Sequence, residues 1–264
     1  MPDPLDDLEM SAPPDAAPAE SDHRAGSSTG VEELISSAAG LLLDFDGPIC
    51  ELFAGYSPRT TAAAILAVLN REKVDFPADL HDARGGLALL EWAQFNTPEL
   101  VPDIEDIQEA AELRALRTAR PTPHSLATAV AATEAGLKVA VVSNNSAEVV
   151  AEYLTRRGFA EHVHDVVGRE PGRAVLMKPN PDPLRRAASA LNVPIRRCVM
   201  VGDAISDIVA ANRAGASSIG YARNDDPLRF TRAGADVVIR TMSTLSSAIS
   251  TSVTRSNRRD HKPF

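Results

Sequence analysis

The chain has 264 residues, 44% of them hydrophobic, with a formal net charge of −9 and a pI near 5.2. That is enough apolar material for one large domain or a domain with an insert, and the acidic balance argues against nucleic acid as the main partner, because such proteins present a basic face. Two cysteines, Cys50 and Cys198, make no disulfide framework, no apolar run is long enough to span a bilayer, and the acidic, proline-rich start does not read as a secretory leader; the expectation is a cytoplasmic protein with no membrane partner.

Residues 1–30 are rich in Pro, Ala, Asp, Ser and Gly. They carry too little apolar surface to offset the entropy of ordering, which predicts a disordered tail. A short helix is expected over residues 31–39. Leu41-Leu42-Leu43 then reads as a buried strand running into Asp44-Phe45-Asp46-Gly47. Ser57-Pro58 is a helix start, with a capping residue followed by proline in the first turn. Ala62, Ile65, Leu66 and Leu69 follow at helical spacing. Two further helices are expected over residues 87–95 and 104–120, with no strand between Ile49 and Pro121. From His124 the rhythm changes to alternating helices and strands. Helices are predicted over residues 125–135, 147–157, 183–191 and 206–214. Strands are predicted over residues 139–142, 163–167, 198–201, 218–221 and 237–239. Such alternation implies a parallel sheet with right-handed crossovers. The expected architecture is α/β: a Rossmann-like core over residues 31–48 and 122–252, a small all-helical insert over residues 49–121 directly after the first core strand, and a basic flexible tail over residues 253–264.

Polar residues collect where the strands end. Asp44 and Asp46 are two apart and share a face of an extended chain, so both carboxylates can enter one pocket, and Gly47 lets the chain turn away. Two adjacent carboxylates repel. A divalent cation relieves this, and Mg²⁺ favours one or two carboxylates together with phosphate oxygens. The alternative for Asp-x-Asp-Gly alone is a solvated acidic turn. Ser143 and Asn144 lie ahead of a helix N-terminus, a suitable cradle for phosphate, or a plain helix cap. Lys178 supplies a fixed positive charge or is an ordinary loop lysine. Asp203 and Asp207 bracket a turn into a helix, where one can complete a metal site or serve only as a cap. The four features in this order favour phosphate chemistry, since the alternative needs several coincidences.

With these motifs in place the chain resembles the haloacid dehalogenase superfamily, in its subclass with a helical cap between the first and second motifs, similar to phosphoglycolate phosphatase and beta-phosphoglucomutase. The resemblance covers roughly Leu41 to Ile239. Its most specific part runs from Lys178-Pro179-Asn180-Pro181-Asp182 through Val201-Gly202-Asp203-Ala204-Ile205-Ser206-Asp207 to Ile219-Gly220-Tyr221. The resemblance implies that Asp44 is the phosphorylated nucleophile and Asp46 the general acid/base. It implies that Ser143, with Asn144 beside it, binds phosphate, and that Lys178 neutralises the nucleophile and the phosphoryl group. It further implies a Mg²⁺ cofactor held by Asp44, the Asp46 backbone carbonyl, Asp203 and Asp207. The second aspartate, Asp46, looks like the phosphatase and phosphomutase branch rather than the carbon–halogen dehalogenases. The chain departs from the family pattern at Pro48, where threonine is usual, at Cys50, where a polar residue is common, and at Ala204, where serine is frequent.

The expected activity is a Mg²⁺-dependent phosphatase acting on a small phosphorylated metabolite through an aspartyl-phosphate, as a monomer or dimer. The alternatives are a phosphosugar mutase and a non-catalytic protein that binds a phosphorylated ligand. Arg84-Gly85-Gly86 falls where related enzymes carry a specificity loop, so Arg84 and Gly85 are candidate substrate contacts or a plain helix–helix turn. Trp92 is read as core of the insert, spaced with Leu89 and Phe95. His162, His164 and Asp165 are read as a polar strand edge rather than a metal site, and Cys50 as a small packed side chain.

Overall fold

The apolar run before Asp44 becomes a strand because both of its faces are covered. The computed structural model describes the backbone of residues 28–260 and the side chains of residues 29–252. In it, β1 (Gly40–Leu43) lies inside a six-stranded sheet. Leu41 and Leu43 pack with Val139, Val141, Val199 and Val201. Leu42 faces the opposite core with Ala140, Val142 and Met200. That alternation is the two-residue period of a strand, and the double coverage is what a parallel sheet requires. Each such leucine contributes about 1.5–3 kcal/mol relative to exposure.

The chain order is α1 (Ser28–Ser37), β1, β2 (Cys50–Glu51), α2 (Pro58–Arg71), α3 (Gly86–Asn96), α4 (Val101–Leu116), β3 (Arg120–Pro121), α5 (Ser125–Glu134), β4 (Lys138–Ser146) and α6 (Ala147–Arg156). It continues with β5 (Asp165–Arg169), α7 (Asp182–Ala190), β6 (Cys198–Gly202), α8 (Ile205–Ala214), β7 (Ser217–Tyr221), α9 (Pro227–Arg232), β8 (Val237–Ile239) and α10 (Met242–Asp260). The large sheet has the order β5-β4-β1-β6-β7-β8, and every neighbouring pair is parallel. β1 therefore has β4 on one side and β6 on the other. The connections diverge there, which opens a crevice at the carboxyl end of β1, the usual ligand position in such sheets.

The helices between β1 and β4 bury a core of their own, including Ala62, Ile65, Leu69, Leu89, Leu90, Ala93 and Ile104. Trp92 packs at its edge against Phe76, ring centroids 6.3 Å apart, whereas Phe95 is 73% exposed and takes no part. Gly86 starts α3 where a Cβ would meet Gln108 Oε1 at 2.1 Å. Close helix approach thus accounts for that glycine.

Four expectations are corrected. The insert is not free of strands: β2 and β3 pair antiparallel, Cys50 with Pro121 and Glu51 with Arg120, and so tie together the two ends of the insert. α4 stops at Leu116, short of Pro121, and Arg120–Pro121 are extended as β3. Ser28–Gly30 already belong to α1, inside the stretch expected to be disordered; residues 1–27 lie outside the described residues. The backbone expected to fray after residue 252 continues α10 to Asp260, and residues 261–264 lie outside the described residues. Among the described residues no helix is long and apolar enough to cross a membrane.

Candidate active site

Asp44 follows β1 directly, and its N–H is held by Val201 O at 2.9 Å. Its side chain is thereby fixed at the sheet's crevice, where Oδ1 accepts from Phe45 N at 2.7 Å and from Lys178 Nζ at 2.7 Å. The Lys178 ammonium lies the same 2.7 Å from Asp207 Oδ1 and donates to Val142 O at 2.8 Å. Burial alone would push this ammonium's pKa down. Asp207 and Asp44 outweigh that and hold it above the ordinary lysine value. Asp207, fully buried, sits in the first turn of α8, and its Oδ2 accepts from Ala204 N at 3.0 Å. That is half of a capping box. Ala204 has no side-chain oxygen to return the bond, so the frequent serine's contribution is missing here.

Asp44, Asp203 and Asp207 bring one carboxylate oxygen each to within 4.8 Å of one another. Gly47, at φ +105°, makes this approach possible, since a Cβ there would meet Asp203 Cγ at 2.3 Å. The charges conflict. Burial, then Asp207, raises the Asp44 carboxyl to about 7 against the pull of Lys178. Burial, then Asp44, Asp207 and Asp46, raises Asp203 to about 8. An all-oxygen, carboxylate-rich donor set with surplus negative charge suits a hard divalent cation such as Mg²⁺.

A pH dependence follows. Both carboxyls bind protons more tightly in the folded chain than in the unfolded one. Their contribution to stability is full below about pH 4 and is lost as pH rises through about 7 and 8. A divalent cation replaces those protons. In EDTA, the melting temperature should therefore fall between pH 5.5 and 8.5, and Mg²⁺ should raise it more at pH 8.5 than at 5.5, as scanning calorimetry would show.

Asp46 lies apart from the three gathered carboxylates. Its Oδ1 accepts from Leu52 N at 2.9 Å. Burial raises its pKa, while the Leu52 N–H, Lys178 and Arg223 pull it back. The carboxyl is thus fixed by the turn into β2 and kept prone to hold a proton. Pro48 costs this turn nothing visible. Gly47 N donates to Cys50 O at 2.6 Å, Cys50 N to Phe45 O at 3.1 Å, and Thr122 Oγ1 to Gly47 O at 2.6 Å, none of which needs an N–H at position 48. Cys50 is buried and desolvation raises its pKa, so it is an inert packed thiol.

Ser143 directly follows Val142, whose carbonyl accepts from Lys178, and is buried, its Oγ accepting from Asn145 N at 3.1 Å. Asn144 is placed differently from expectation. Its Nδ2 donates to Lys178 O at 3.0 Å and its Oδ1 accepts from Lys178 N at 2.9 Å. Both side-chain ends are spent on the lysine's backbone rather than directed at a ligand. Arg84 is exposed, and among the described residues no hydrogen bond or ion pair joins it or Gly85 to the acid–lysine cluster. His162 and His164 serve locally, at 3.1 Å from Thr133 Oγ1 and 3.2 Å from Val139 N, as a polar strand edge would.

The sequence profile of haloacid dehalogenase-like hydrolases matches residues 38–215. The chain belongs to the haloacid dehalogenase-like hydrolases. A phosphoglycolate phosphatase of Neisseria meningitidis is 36% identical over 101 residues, 38% of this chain and 42% of that relative, so the chain spans about two-fifths of its length. An N-acetylmuramic acid 6-phosphate phosphatase of Pseudomonas aeruginosa is 26% identical over 75% of this chain and 89% of its own. Among solved structures, a beta-phosphoglucomutase of Clostridium difficile aligns with a TM-score of 0.59 and 16% identity, over 84% of this chain and 100% of that one. That likeness bears on the fold alone. The profile match runs from the residues before β1 through α8, and so takes in Asp44, Lys178, Asp203 and Asp207.

Sequence reading missed several residues around the site. Arg223 pairs with Glu51. Arg229 donates to Asp203 O at 2.7 Å. Glu112 and Arg169 form a buried ion pair at 2.8 Å. A wholly buried glutamate on a helix is the only local anomaly among them, and periodicity alone does not reveal it.

Proposed function

We propose that the chain is a Mg²⁺-dependent phosphatase of small phosphomonoesters. The observation that carries this reading is Lys178 Nζ set 2.7 Å from both Asp44 and Asp207, with Asp203 in the same cluster and Asp46 held two residues beyond the nucleophile position. A binding protein has no need of a second, protonatable carboxyl at that place.

In this reading Asp44 attacks phosphorus as the ester P–O bond breaks, and the departing alkoxide takes the proton of Asp46. Asp46 then draws a proton from water. The water oxygen attacks the phosphorus of the aspartyl-phosphate, releasing inorganic phosphate and restoring the Asp44 carboxylate. Lys178 offsets charge on the nucleophile and on the phosphoryl oxygens. Ser143 supplies a hydroxyl donor. Asp44, Asp203, the Asp46 carbonyl and Asp207 would hold Mg²⁺, which would supply further charge neutralisation. Transfer through Asp46 contributes about 10²–10⁴-fold. The helical insert serves as a cap that keeps bulk water from the intermediate, with Arg84 and Gly85 on its substrate-facing loop. The names of the similar proteins direct the substrate search to 2-phosphoglycolate and phosphorylated sugars.

The test is phosphate release from a panel holding 2-phosphoglycolate, sugar 6-phosphates and p-nitrophenyl phosphate, with Mg²⁺ or with EDTA. Release that requires Mg²⁺ is expected. An isomerised phosphosugar in place of phosphate would convert the reading to a mutase. Mg²⁺ binding without turnover of any ester would overturn it in favour of a binding protein.

A further inference from the structure

The segment that delivers Lys178 leaves the sheet at the end of β5 and packs into the helical insert instead. Ala174 and Met177 are buried in the core formed by α2, α3 and α4. Gln94 of α3 grips the same segment twice: Nε2 donates to Gly172 O at 2.8 Å and Oε1 accepts from Val175 N at 3.0 Å. Glu105 of α4 accepts from Gly172 N at 2.8 Å.

One turn from the end of α4, Glu112 is fully buried and spends both carboxylate oxygens on the core. Oε1 accepts from Arg169 at 2.8 Å and from Gln108 at 2.8 Å, and Oε2 accepts from Ser146 N at 2.8 Å. The same Arg169 nitrogen donates to Asn144 O at 2.9 Å. Asn144 in turn clamps both backbone groups of Lys178. Every bond of this path, from α4 to Asp44, is a charge-assisted or two-ended hydrogen bond between buried or half-buried groups. Such bonds fix geometry more tightly than single exposed ones.

We infer that Glu112, with Arg169 and Asn144, is a positioning unit by which the helical insert sets Lys178 against Asp44. The insert is then not a lid that swings independently on β2 and β3. Its seating and the placement of the lysine are one event, so an insert that is displaced also withdraws the charge that the nucleophile needs. This rests on the catalytic part proposed for Lys178.

The experiment compares wild type, Glu112→Gln, Arg169→Met and the double variant Glu112→Gln/Arg169→Met in the full chain. It measures kcat and KM on p-nitrophenyl phosphate with Mg²⁺, melting temperature, and amide hydrogen exchange at Lys178 and Ser146. Glu112→Gln should lower kcat by about tenfold to a hundredfold with KM little changed, as a small misplacement of a reacting group does. Its Lys178 and Ser146 amides should exchange faster. The double variant removes the buried charge imbalance, so its melting temperature should recover relative to Arg169→Met while kcat stays low. A merely structural pair would restore kcat along with the melting temperature, and that outcome overturns the inference, as does wild-type exchange at Lys178 in Glu112→Gln. If wild type turns over no ester, the phosphatase reading fails by itself, and the exchange at Lys178 still decides whether Glu112 places it.

Discussion

Asp44→Asn should abolish Mg²⁺-dependent phosphate release, a loss on the order of 10⁴-fold or more, because an amide oxygen cannot form and release the acyl phosphate. The fold should not suffer. Burial and Asp207 push the Asp44 carboxyl to about 7, so at pH 8 the native chain holds a carboxylate that its surroundings disfavour. Asparagine has the same shape and no charge. In EDTA at pH 8 its melting temperature should equal or exceed that of wild type, whereas at pH 5 the two should coincide more closely. The pair of measurements separates chemistry from stability. Turnover within tenfold of wild type would remove Asp44 from the nucleophile's place, and a large drop in melting temperature at pH 8 would mean that the Lys178 pair outweighs burial and repulsion.

Much of this site is legible along the chain because its parts are local. Leu41-Leu42-Leu43 must be a strand buried on both faces, and residues at its end inherit the position where ligands collect. Asp203 and Asp207 are likewise placed by a strand, a turn and one turn of helix. What the sequence conceals is the direction of side chains whose partners are remote. Asn144 reads as a phosphate ligand because amides suit that task, but its bonds go to Lys178, 34 residues away. Glu112 and Arg169 lie 57 residues apart, each unremarkable by itself. The strand β4 runs four residues past the expected Val142, because Ser146 still registers against Arg169 across an irregularity in the ladder. Ser143, Asn144 and Asn145 carry no β pattern, and Asn144 is held there by Arg169 and Lys178, partners remote in sequence. β2 and β3, with two residues each, are too short for periodicity to register at all.

Replacing the lysine tests the same cluster from its opposite charge. Lys178→Met keeps the length and apolar stem but leaves Asp44, Asp203 and Asp207 without a cation. Phosphate release should fall by about 10²–10³-fold or more, the usual effect of losing one fixed charge from a transition state of this kind. Breaking a buried pair while one partner stays charged costs roughly 3–5 kcal/mol, but here the carboxyls can take up protons instead, so the cost depends on pH. Without Lys178 the Asp44 pKa rises beyond its already elevated value, since the lysine is the main influence lowering it, ahead of the Phe45 N–H. A raised folded-state pKa gives stability at low pH that disappears as pH rises. The gap in melting temperature between wild type and Lys178→Met, both in EDTA, should thus stay small from pH 5 to about 6 and widen as pH rises through about 7 toward 8.5. Lys178→Arg should rescue stability in part and turnover little, because a planar fork cannot reproduce a point charge that meets Asp44, Asp207 and the Val142 carbonyl at once. A constant gap across this range would show that the ammonium acts through packing alone, and full activity in Lys178→Arg would show that position matters less than charge.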